Sequence, residues 1–222
     1  MNKKQNEVLD EGQIRITNPF GPSIAWAKMP SGIIEELNNY IDKIVDDKKK
    51  SNELDHGKQL AGNVTQEFVL EKDFAEKIGW TDFLKKGVTT WVNYSTNKKV
   101  KKFELISSWV VRQFKGEYNP IHWHGGHVSG VGYLKVPKNL GKPIQNENKK
   151  QNFNGHIELV HGTKMFLSNS KLSIKPEVGN FYFFPNYMMH AVYPFADSEE
   201  ERRSISFNAY IDEEIYNVYL GE

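Results

Sequence analysis

From Phe103 onward, the sequence consists of short runs of aromatic and β-branched residues that are separated by Gly, Pro and Asn. The runs cover residues 103–114, 128–136, 156–159, 164–167, 180–184 and 203–210. Several short strands with turn signals between them are typical of a β-sandwich or a double-sheet jelly roll. An aromatic content of 13% agrees with a β core that is packed by rings. This half of the chain therefore predicts a jelly-roll core.

The first half of the chain predicts a mixture of strand and helix. Residues 13–17 alternate and end at Asn18-Pro19, which predicts a short strand. Ser31 begins a helix whose apolar residues fall on one stripe: Ile33, Ile34, Leu37, Tyr40, Ile41, Ile44 and Val45. The charged residues 46–57 are expected to form a loop. A second helix has Thr81 as its N-cap, and its apolar face carries Phe83, Leu84, Val88, Trp91 and Val92.

Helices first and strands afterwards predict an α+β chain that is mainly β, in which the helices cover one face of a sheet. The length of 222 residues is ample for one buried core. We expect a single domain over residues 1–222. Residues 1–102 are expected to form a helical and mixed support region, and residues 103–212 are expected to form the jelly-roll core.

Composition excludes several kinds of function. The chain has 29 Lys and Arg against 28 Asp and Glu, a net charge of +1, so charge alone would not attract nucleic acid or an anionic membrane. There is no cysteine, which excludes thiolate metal sites and a cysteine nucleophile. The polar residues 1–13 do not resemble a secretory signal, and a cytoplasmic protein is expected. Metal or acid–base chemistry must come from carboxylates and the seven histidines.

Two histidines are spaced so that they could bind one metal ion. His122 and His124 are two residues apart, and on an extended segment their side chains leave the same face. Neutral imidazoles suit Fe, Cu, Ni or Zn, but two of them still need a third ligand. His190 is the third candidate, because it follows a strand that ends at Pro185 and could return beside the first two.

The last strand-like run has two chemically different faces. Arg202, Ser204, Ser206 and Asn208 share one face, whereas Arg203, Ile205 and Phe207 share the other. The first set is so polar that it must meet solvent or line a polar pocket. The second set resembles a core.

In this order, the histidines and the two-faced strand resemble the Fe(II)/2-oxoglutarate-dependent oxygenase superfamily, and in particular an uncharacterised bacterial and phage group within it. The residues that carry the resemblance are Asn119…His122-Trp123-His124, Ser129-Gly130-Val131-Gly132-Tyr133-Leu134, and Phe184-Pro185…His190-Ala191-Val192-Tyr193-Pro194-Phe195…Arg202-Arg203-Ser204-Ile205-Ser206-Phe207-Asn208. The resemblance is strong over residues 105–210 and weaker before them. It implies a double-stranded β-helix, a cupin-like jelly roll with flanking N-terminal helices.

The resemblance also implies a set of site residues. His122, His124 and His190 would bind Fe(II), although the superfamily usually has a carboxylate where this chain has His124. His127 is the rival metal ligand, and Arg203 is the rival of Arg202 if the register is shifted by one. By resemblance, four residues would contact the cosubstrate 2-oxoglutarate: Arg202, Ser204, Tyr133 and Asn119. We expect Trp109 and Trp123 to belong to the core.

The implied activity is hydroxylation of a substrate C–H bond by O₂, Fe(II) and 2-oxoglutarate, with release of succinate and CO₂. The substrate would be a small molecule or a peptide side chain, and the polar segment 137–155 is either a substrate lid or a surface insertion. Two alternatives stay open. One is a three-histidine, cupin-like metalloenzyme that does not use 2-oxoglutarate, and the other is a jelly-roll module without catalysis.

Overall fold

Two antiparallel β-sheets dominate the structure. It is a computed structural model that describes residues 9–17, 21–55, 57, 62–64, 66–144 and 151–219. The strands are β1 Ile14–Thr17, β2 Ile24–Lys28, β3 Gln66–Val69, β4 Phe103–Gln113, β5 Asn119–His122, β6 Val128–Lys135, β7 Ile157–Val160, β8 Lys171–Ile174, β9 Asn180–Pro185, β10 Met189–Val192 and β11 Arg202–Ile211. The seven-stranded major sheet has the order β1-β2-β9-β6-β11-β4-β3, and the four-stranded minor sheet has the order β5-β10-β7-β8. The predicted mainly β jelly roll is confirmed.

Five helices accompany the sheets in the described part of the chain: α1 Ser31–Asp46, α2 Lys48–Leu54, α3 Lys72–Lys77, α4 Trp80–Thr96 and α5 Glu213–Tyr216. The buried stripe of α1 contains Leu37, Ile41 and Ile44, as its apolar periodicity predicts. Within the described residues, no helix combines the length and the apolar character that a membrane span needs.

Strand β11 is an interior strand of the major sheet, and its pairings show which residues lie on each of the two faces. It pairs with β4 on one side, where Arg202 lies opposite Gln113, and with β6 on the other, where Ser204 lies opposite Tyr133. Because side chains alternate along a strand, neighbouring residues of β11 point in opposite directions. One face of the sheet meets the helices, and the other meets the minor sheet.

The helix-facing side of the major sheet forms the larger hydrophobic core. Phe207 and Ile205 of β11 are fully buried there, together with Trp80 and Leu84 of α4. The indole of Trp80 also donates to Ser108 Oγ at 3.0 Å, which satisfies the one polar atom of this buried ring. This core packs the helices against one face of the major sheet. The opposite face of that sheet is therefore available to line a cavity.

Arg203 belongs to the helix-facing side, so it does not reach the space between the sheets. It is 1% exposed, and it donates to Asp42 Oδ1 of α1 at 2.6 Å and to Glu201 Oε1 at 2.7 Å. Its charge is thus compensated by two carboxylates. The alternative register, in which Arg203 would replace Arg202, has no support in this arrangement.

Two predictions in the first half of the chain were wrong. Residues 46–57 were expected to be a loop, but they contain α2, whose first turn is capped by the Asp47 carboxylate accepting from the backbone N–H of Lys49 and Lys50. Thr81 was expected to be the N-cap of the second helix, but α4 begins at Trp80 after Gly79. Gly79 has a φ of 77°, and it separates α4 from the preceding α3.

The sequence also misplaced one strand and missed others. Residues 164–167 were expected to be a strand, but they lie in the turn between β7 and β8, where Leu167 has a φ of 63°. The short strands β2, β3, β8 and β10 were not predicted. His124 lies beyond the end of β5, so only His122 of the predicted pair is on a strand. Asn18, Pro19 and His56 lie outside the described residues.

Gly87 tests the packing of α4 on the sheet. A Cβ at Gly87 would lie 2.3 Å from Cζ of the fully buried Phe183, whereas a Cβ at Gly32 in α1 would meet nothing within 4 Å. We predict that Gly87→Ala lowers the free energy of unfolding by about 1–3 kcal/mol through overpacking. Gly32→Ala is expected to raise it by about 0.5–1 kcal/mol through helix propensity. Urea unfolding of both variants measures this, and equal effects would contradict the described packing.

Candidate metal centre

Three histidine side chains converge where β5 and β10 pair. His122 lies directly opposite His190 in the ladder of the minor sheet, and the loop after β5 brings His124 beside them. Their ligand atoms lie within 4.8 Å of one another, and the Nε2 atoms of His124 and His190 are 3.2 Å apart. In the described part of the chain, this is the one group of three metal-binding side chains so close together.

Backbone carbonyls orient two of these rings. The Nδ1 of His122 is 2.7 Å from the carbonyl oxygen of Pro120, and the Nδ1 of His190 is 2.8 Å from that of Met188. A proton on each Nδ1 is donated to the carbonyl, which leaves the lone pair on Nε2. Hydrogen bonds of this kind commonly orient metal-bound histidines in proteins.

Burial keeps the three imidazoles neutral. Desolvation, reinforced by the neighbouring His190 and His122, lowers the pKa of His124 to about 3. Desolvation and His122 lower the pKa of His190 to about 4, and burial also lowers the pKa of His122. Since a metal ion binds the unprotonated ring, the lowered pKa values favour the form that coordinates.

A cavity of about 240 Å³ extends from the histidines between the two sheets. The major sheet contributes Arg202, Ser204 and Ser206, which are the alternate residues of β11 that face away from the helices. The ring centroid of Trp109 is 5.4 Å from that of His124. Three of the four residues on the predicted polar face of β11 therefore line a pocket. The fourth, Asn208, instead accepts a hydrogen bond from Ser129 Oγ at 3.0 Å.

Arg202 is buried in this cavity with part of its guanidinium unpaired. It is 2% exposed, and its Nη1 donates to Gln113 Oε1 at 2.9 Å, but its Nε and Nη2 have no hydrogen-bond partner. The hydroxyl of Tyr133, a fully buried residue, has no partner either, and the Tyr133 ring lies 5.0 Å from Arg202 Cζ. A buried cation beside unpaired donors is costly unless an anion accepts from them.

The remaining predicted residues have distinct positions. Asn119 lines the same cavity. His127 does not join the other histidines, because its Nδ1 accepts from the backbone N–H of Ile211 and its ring stacks on Tyr216. Trp123 was expected in the core, but it is 65% exposed at the cavity.

Glu67, which the sequence did not single out, also lines the cavity. It lies on β3 opposite Val111 of β4, which in turn pairs with Ser204, so the three residues share one face of the major sheet. Glu67 is 2% exposed, and its Oε2 has no partner. Burial and the nearby Asp55 raise the pKa of Glu67 to about 7. No local motif marks this residue, because only the pairing of β3 with β4 brings it to the site.

Residues 107–208 match the model of a protein family described as "Putative 2OG-Fe(II) oxygenase". These residues run from β4 to β11 and include the three histidines, Tyr133 and Arg202. The resemblance to Fe(II)/2-oxoglutarate-dependent oxygenases is therefore confirmed, whereas the narrower bacterial and phage group stays a prediction. No curated protein sequence matches the chain.

Solved structures with a similar fold include a Pseudomonas putida prolyl-4-hydroxylase, with a TM-score of 0.56 and 11% identity over 86% of this chain and 95% of that one. A viral collagen prolyl hydroxylase from Paramecium Bursaria Chlorella virus-1, in complex with 2OG, has a TM-score of 0.51 and 17% identity over 83% and 94%. HygX from Streptomyces hygroscopicus, with nickel, 2-oxoglutarate and hygromycin B bound, has a TM-score of 0.53 and 12% identity over 83% and 81%. At these identities the likeness shows the fold, a double-stranded β-helix.

The raised pKa of Glu67 predicts a specific dependence of stability on pH. In the unfolded chain this carboxyl has its ordinary pKa of 4.5, whereas in the folded protein it is about 7. Between these values the folded state binds more protons, so the free energy of unfolding falls as pH rises through this window. We predict that Glu67→Gln abolishes this loss, gaining about 1–3 kcal/mol over wild type at pH 8 and almost nothing at pH 4.5.

Urea unfolding of both proteins at the two pH values measures this difference. Glu104→Gln is the matched control, because its side chain is exposed and pairs with Lys102 at the surface. The control should show no such pH-dependent gain. An equal effect of Glu67→Gln at both pH values would contradict the buried, unpaired carboxyl.

Proposed function

Because residues 107–208 match the model of a 2OG-Fe(II) oxygenase family, we propose that the protein is a non-haem Fe(II) and 2-oxoglutarate-dependent dioxygenase that hydroxylates a C–H bond of its substrate. Succinate and CO₂ are the other products. The observation that carries the proposal is the juxtaposition in one cavity of three neutral histidines and a buried arginine with unpaired donors.

The three histidines fit a divalent transition metal. Each offers a neutral imidazole nitrogen, the ligand type that suits Fe(II), and the cavity beside them leaves room for ligands other than protein. His124 stands where most of the superfamily has a carboxylate. The site therefore has one less negative charge, which weakens cation binding and raises the reduction potential of a bound iron relative to a two-histidine, one-carboxylate site.

The donors around Arg202 fit the far carboxylate of 2-oxoglutarate. The unpaired Nε and Nη2 of Arg202 form a planar fork, which matches the two oxygens of a carboxylate. Tyr133 adds a free hydroxyl, and Ser204 Oγ lies 3.5 Å from Arg202 Nη1. Bound 2-oxoglutarate would neutralise the guanidinium and satisfy three donors that lack partners in the protein.

When bound, Fe(II) and 2-oxoglutarate supply the oxidising chemistry. The residues of the chain perform three tasks around them. His122, His124 and His190 hold the metal, with the rings of His122 and His190 oriented by backbone carbonyls. Arg202 orients the dicarboxylate, and Trp109 and Phe184 exclude water from the inner cavity.

The substrate is proposed to be a small molecule or a single peptide side chain. A cavity of about 240 Å³ that also receives 2-oxoglutarate leaves space for a group of that size. Among the structurally similar proteins, two are named prolyl hydroxylases and one contains hygromycin B. The fold thus accommodates both kinds of substrate.

One alternative is favoured by a specific observation. A three-histidine centre without a carboxylate also suits cupin-like enzymes that bind their substrate directly to the metal. Such an enzyme would have no use for the unpaired donors of Arg202 and Tyr133. Binding of 2-oxoglutarate separates the two functions.

We predict that His122→Ala, His124→Ala and His190→Ala each lower the affinity for Ni(II), an oxygen-stable substitute for Fe(II), by about 100-fold or more. Loss of one ligand from a three-ligand site removes a metal–nitrogen bond that water replaces poorly. Isothermal titration measures the affinity. His161→Ala is the control, because His161 follows β7 and does not line the cavity. Unchanged affinity in His124→Ala would show that this histidine is not a ligand.

Adding Fe(II) and 2-oxoglutarate without oxygen is predicted to produce a visible charge-transfer band. Arg202→Lys should weaken 2-oxoglutarate binding by about 10-fold or more, because an ammonium lacks the planar fork. Arg203→Lys is the matched control, since the neighbouring arginine points to the helices, and it should leave the 2-oxoglutarate affinity unchanged. Absence of the band in wild type, or equal affinities in both variants, would contradict the proposed cosubstrate site.

A further inference from the structure

Glu67 is a buried carboxyl group that has no ion-pair partner among the described residues. Its Oε2 makes no hydrogen bond, and none of the ion pairs among the described residues involves its carboxylate. On the helix-facing side of the same sheet a buried charge is compensated, since Arg203 pairs with Asp42 and Glu201. A carboxylate left unpaired in a cavity destabilises the protein, so a ligand that pairs with it would recover this free energy.

A second unpartnered acceptor lies beside Glu67. The Oδ1 of Asn119 is buried and makes no hydrogen bond. Gly62 packs against both residues: a Cβ placed on it would lie 2.0 Å from Asn119 Oδ1 and 2.8 Å from Glu67 Oε1. Two acceptor oxygens from different sheets thus meet in one corner of the cavity.

This acceptor corner, formed by Glu67 and Asn119, is separate from the donors around Arg202. Glu67 lies two strands away from Ser204 across the sheet, roughly 10 Å at the usual spacing of strands. Arg202 and Glu67 make no ion pair, although both line the cavity. The cavity therefore has one region that suits an anion and another that suits a cation.

We propose that Glu67 determines substrate specificity by binding an ammonium or guanidinium group of the substrate, while Asn119 accepts a second hydrogen bond from the same group. This inference rests on the proposed dioxygenase function for the identity of the cavity as a substrate site. A cation is favoured over a neutral donor, because only a cation compensates the charge of the ionised carboxylate, whereas beside a hydroxyl the buried group is more stable when it is protonated. The burial that raises the pKa of Glu67 to about 7 also strengthens its attraction for a bound cation.

The probes for the test are n-butylguanidinium and its neutral counterpart of similar length, 1-pentanol. Their binding to metal-free protein is measured by ligand-observed NMR. Wild type is expected to bind n-butylguanidinium at least tenfold more tightly than 1-pentanol. Glu67→Gln should bind n-butylguanidinium at least tenfold more weakly than wild type and 1-pentanol equally well. Glu104→Gln, which removes a surface carboxylate outside the cavity, should bind both probes as wild type does.

Two results overturn the proposal: no binding of n-butylguanidinium to wild type at millimolar concentration, or equal binding to wild type and Glu67→Gln. If Glu67→Gln does not fold, Glu67→Asp and Asn119→Ala take its place. Glu67→Asp should bind n-butylguanidinium more weakly than wild type but still more tightly than 1-pentanol. Asn119→Ala should lose about threefold or more in affinity for n-butylguanidinium alone. Unchanged binding in both substitutes also overturns the proposal.

This test is independent of the test of dioxygenase function. The probes bind metal-free protein, whereas the charge-transfer band depends on Fe(II) and 2-oxoglutarate. Loss of n-butylguanidinium binding in Glu67→Gln without a band in wild type would support the cation site and refute the dioxygenase. A band in wild type together with equal probe binding in Glu67→Gln would do the reverse.

Discussion

Strand β11 pairs with β4 on one side and with β6 on the other, and this pairing decides which of its side chains reach the cavity. It places Arg203, Ile205 and Phe207 against the helices, and it turns Arg202, Ser204 and Ser206 toward the minor sheet. A register shift of one residue would exchange these two faces. Arg203 would then point into the cavity, and Arg202 would point toward the helices. The hydrophobic packing of Phe207 and Ile205 therefore also fixes where Arg202 points.

The two sheets contribute different kinds of residues to the cavity. The minor sheet positions the histidines, because direct pairing of His122 with His190 brings two rings together and carbonyl oxygens fix their orientation. The major sheet supplies charges that the protein itself leaves unpaired. The unpaired groups of Arg202 and Glu67 each lower the free energy of unfolding when no ligand is bound. A ligand that pairs with them would raise it again. This arrangement is typical of a binding site rather than of a structural core.

The sequence predicted the parts of the fold that are encoded locally. The periodicity of α1, the long strands β4, β6, β9 and β11, and the alternation around Arg202 could all be read from nearby residues. The fold class and the family resemblance depended on the order of these segments. The charged residues 46–57 were misread, because Lys and Glu favour helices as well as loops, and the cap at Asp47 was not recognised.

The missed features depend on contacts that are distant in the chain. Glu67 lies in a four-residue edge strand, and its environment is set by β4, more than 40 residues later. His124 reaches the other two histidines from a loop, so the expected extended segment does not account for their proximity. His127 was considered as an alternative metal ligand. The hydrogen bond that it accepts from the backbone N–H of Ile211 and its stacking on Tyr216 could be seen only in the folded chain.

A crystal structure of the protein with Ni(II) and 2-oxoglutarate would show whether the three histidines and Arg202 bind these two ligands. Anomalous scattering from nickel would locate the ion, and the electron density would show the dicarboxylate. We predict one ion bound by His122, His124 and His190, with the far carboxylate of 2-oxoglutarate on the Nε and Nη2 of Arg202. An ion bound without His124, or 2-oxoglutarate that makes no contact with Arg202, would contradict it.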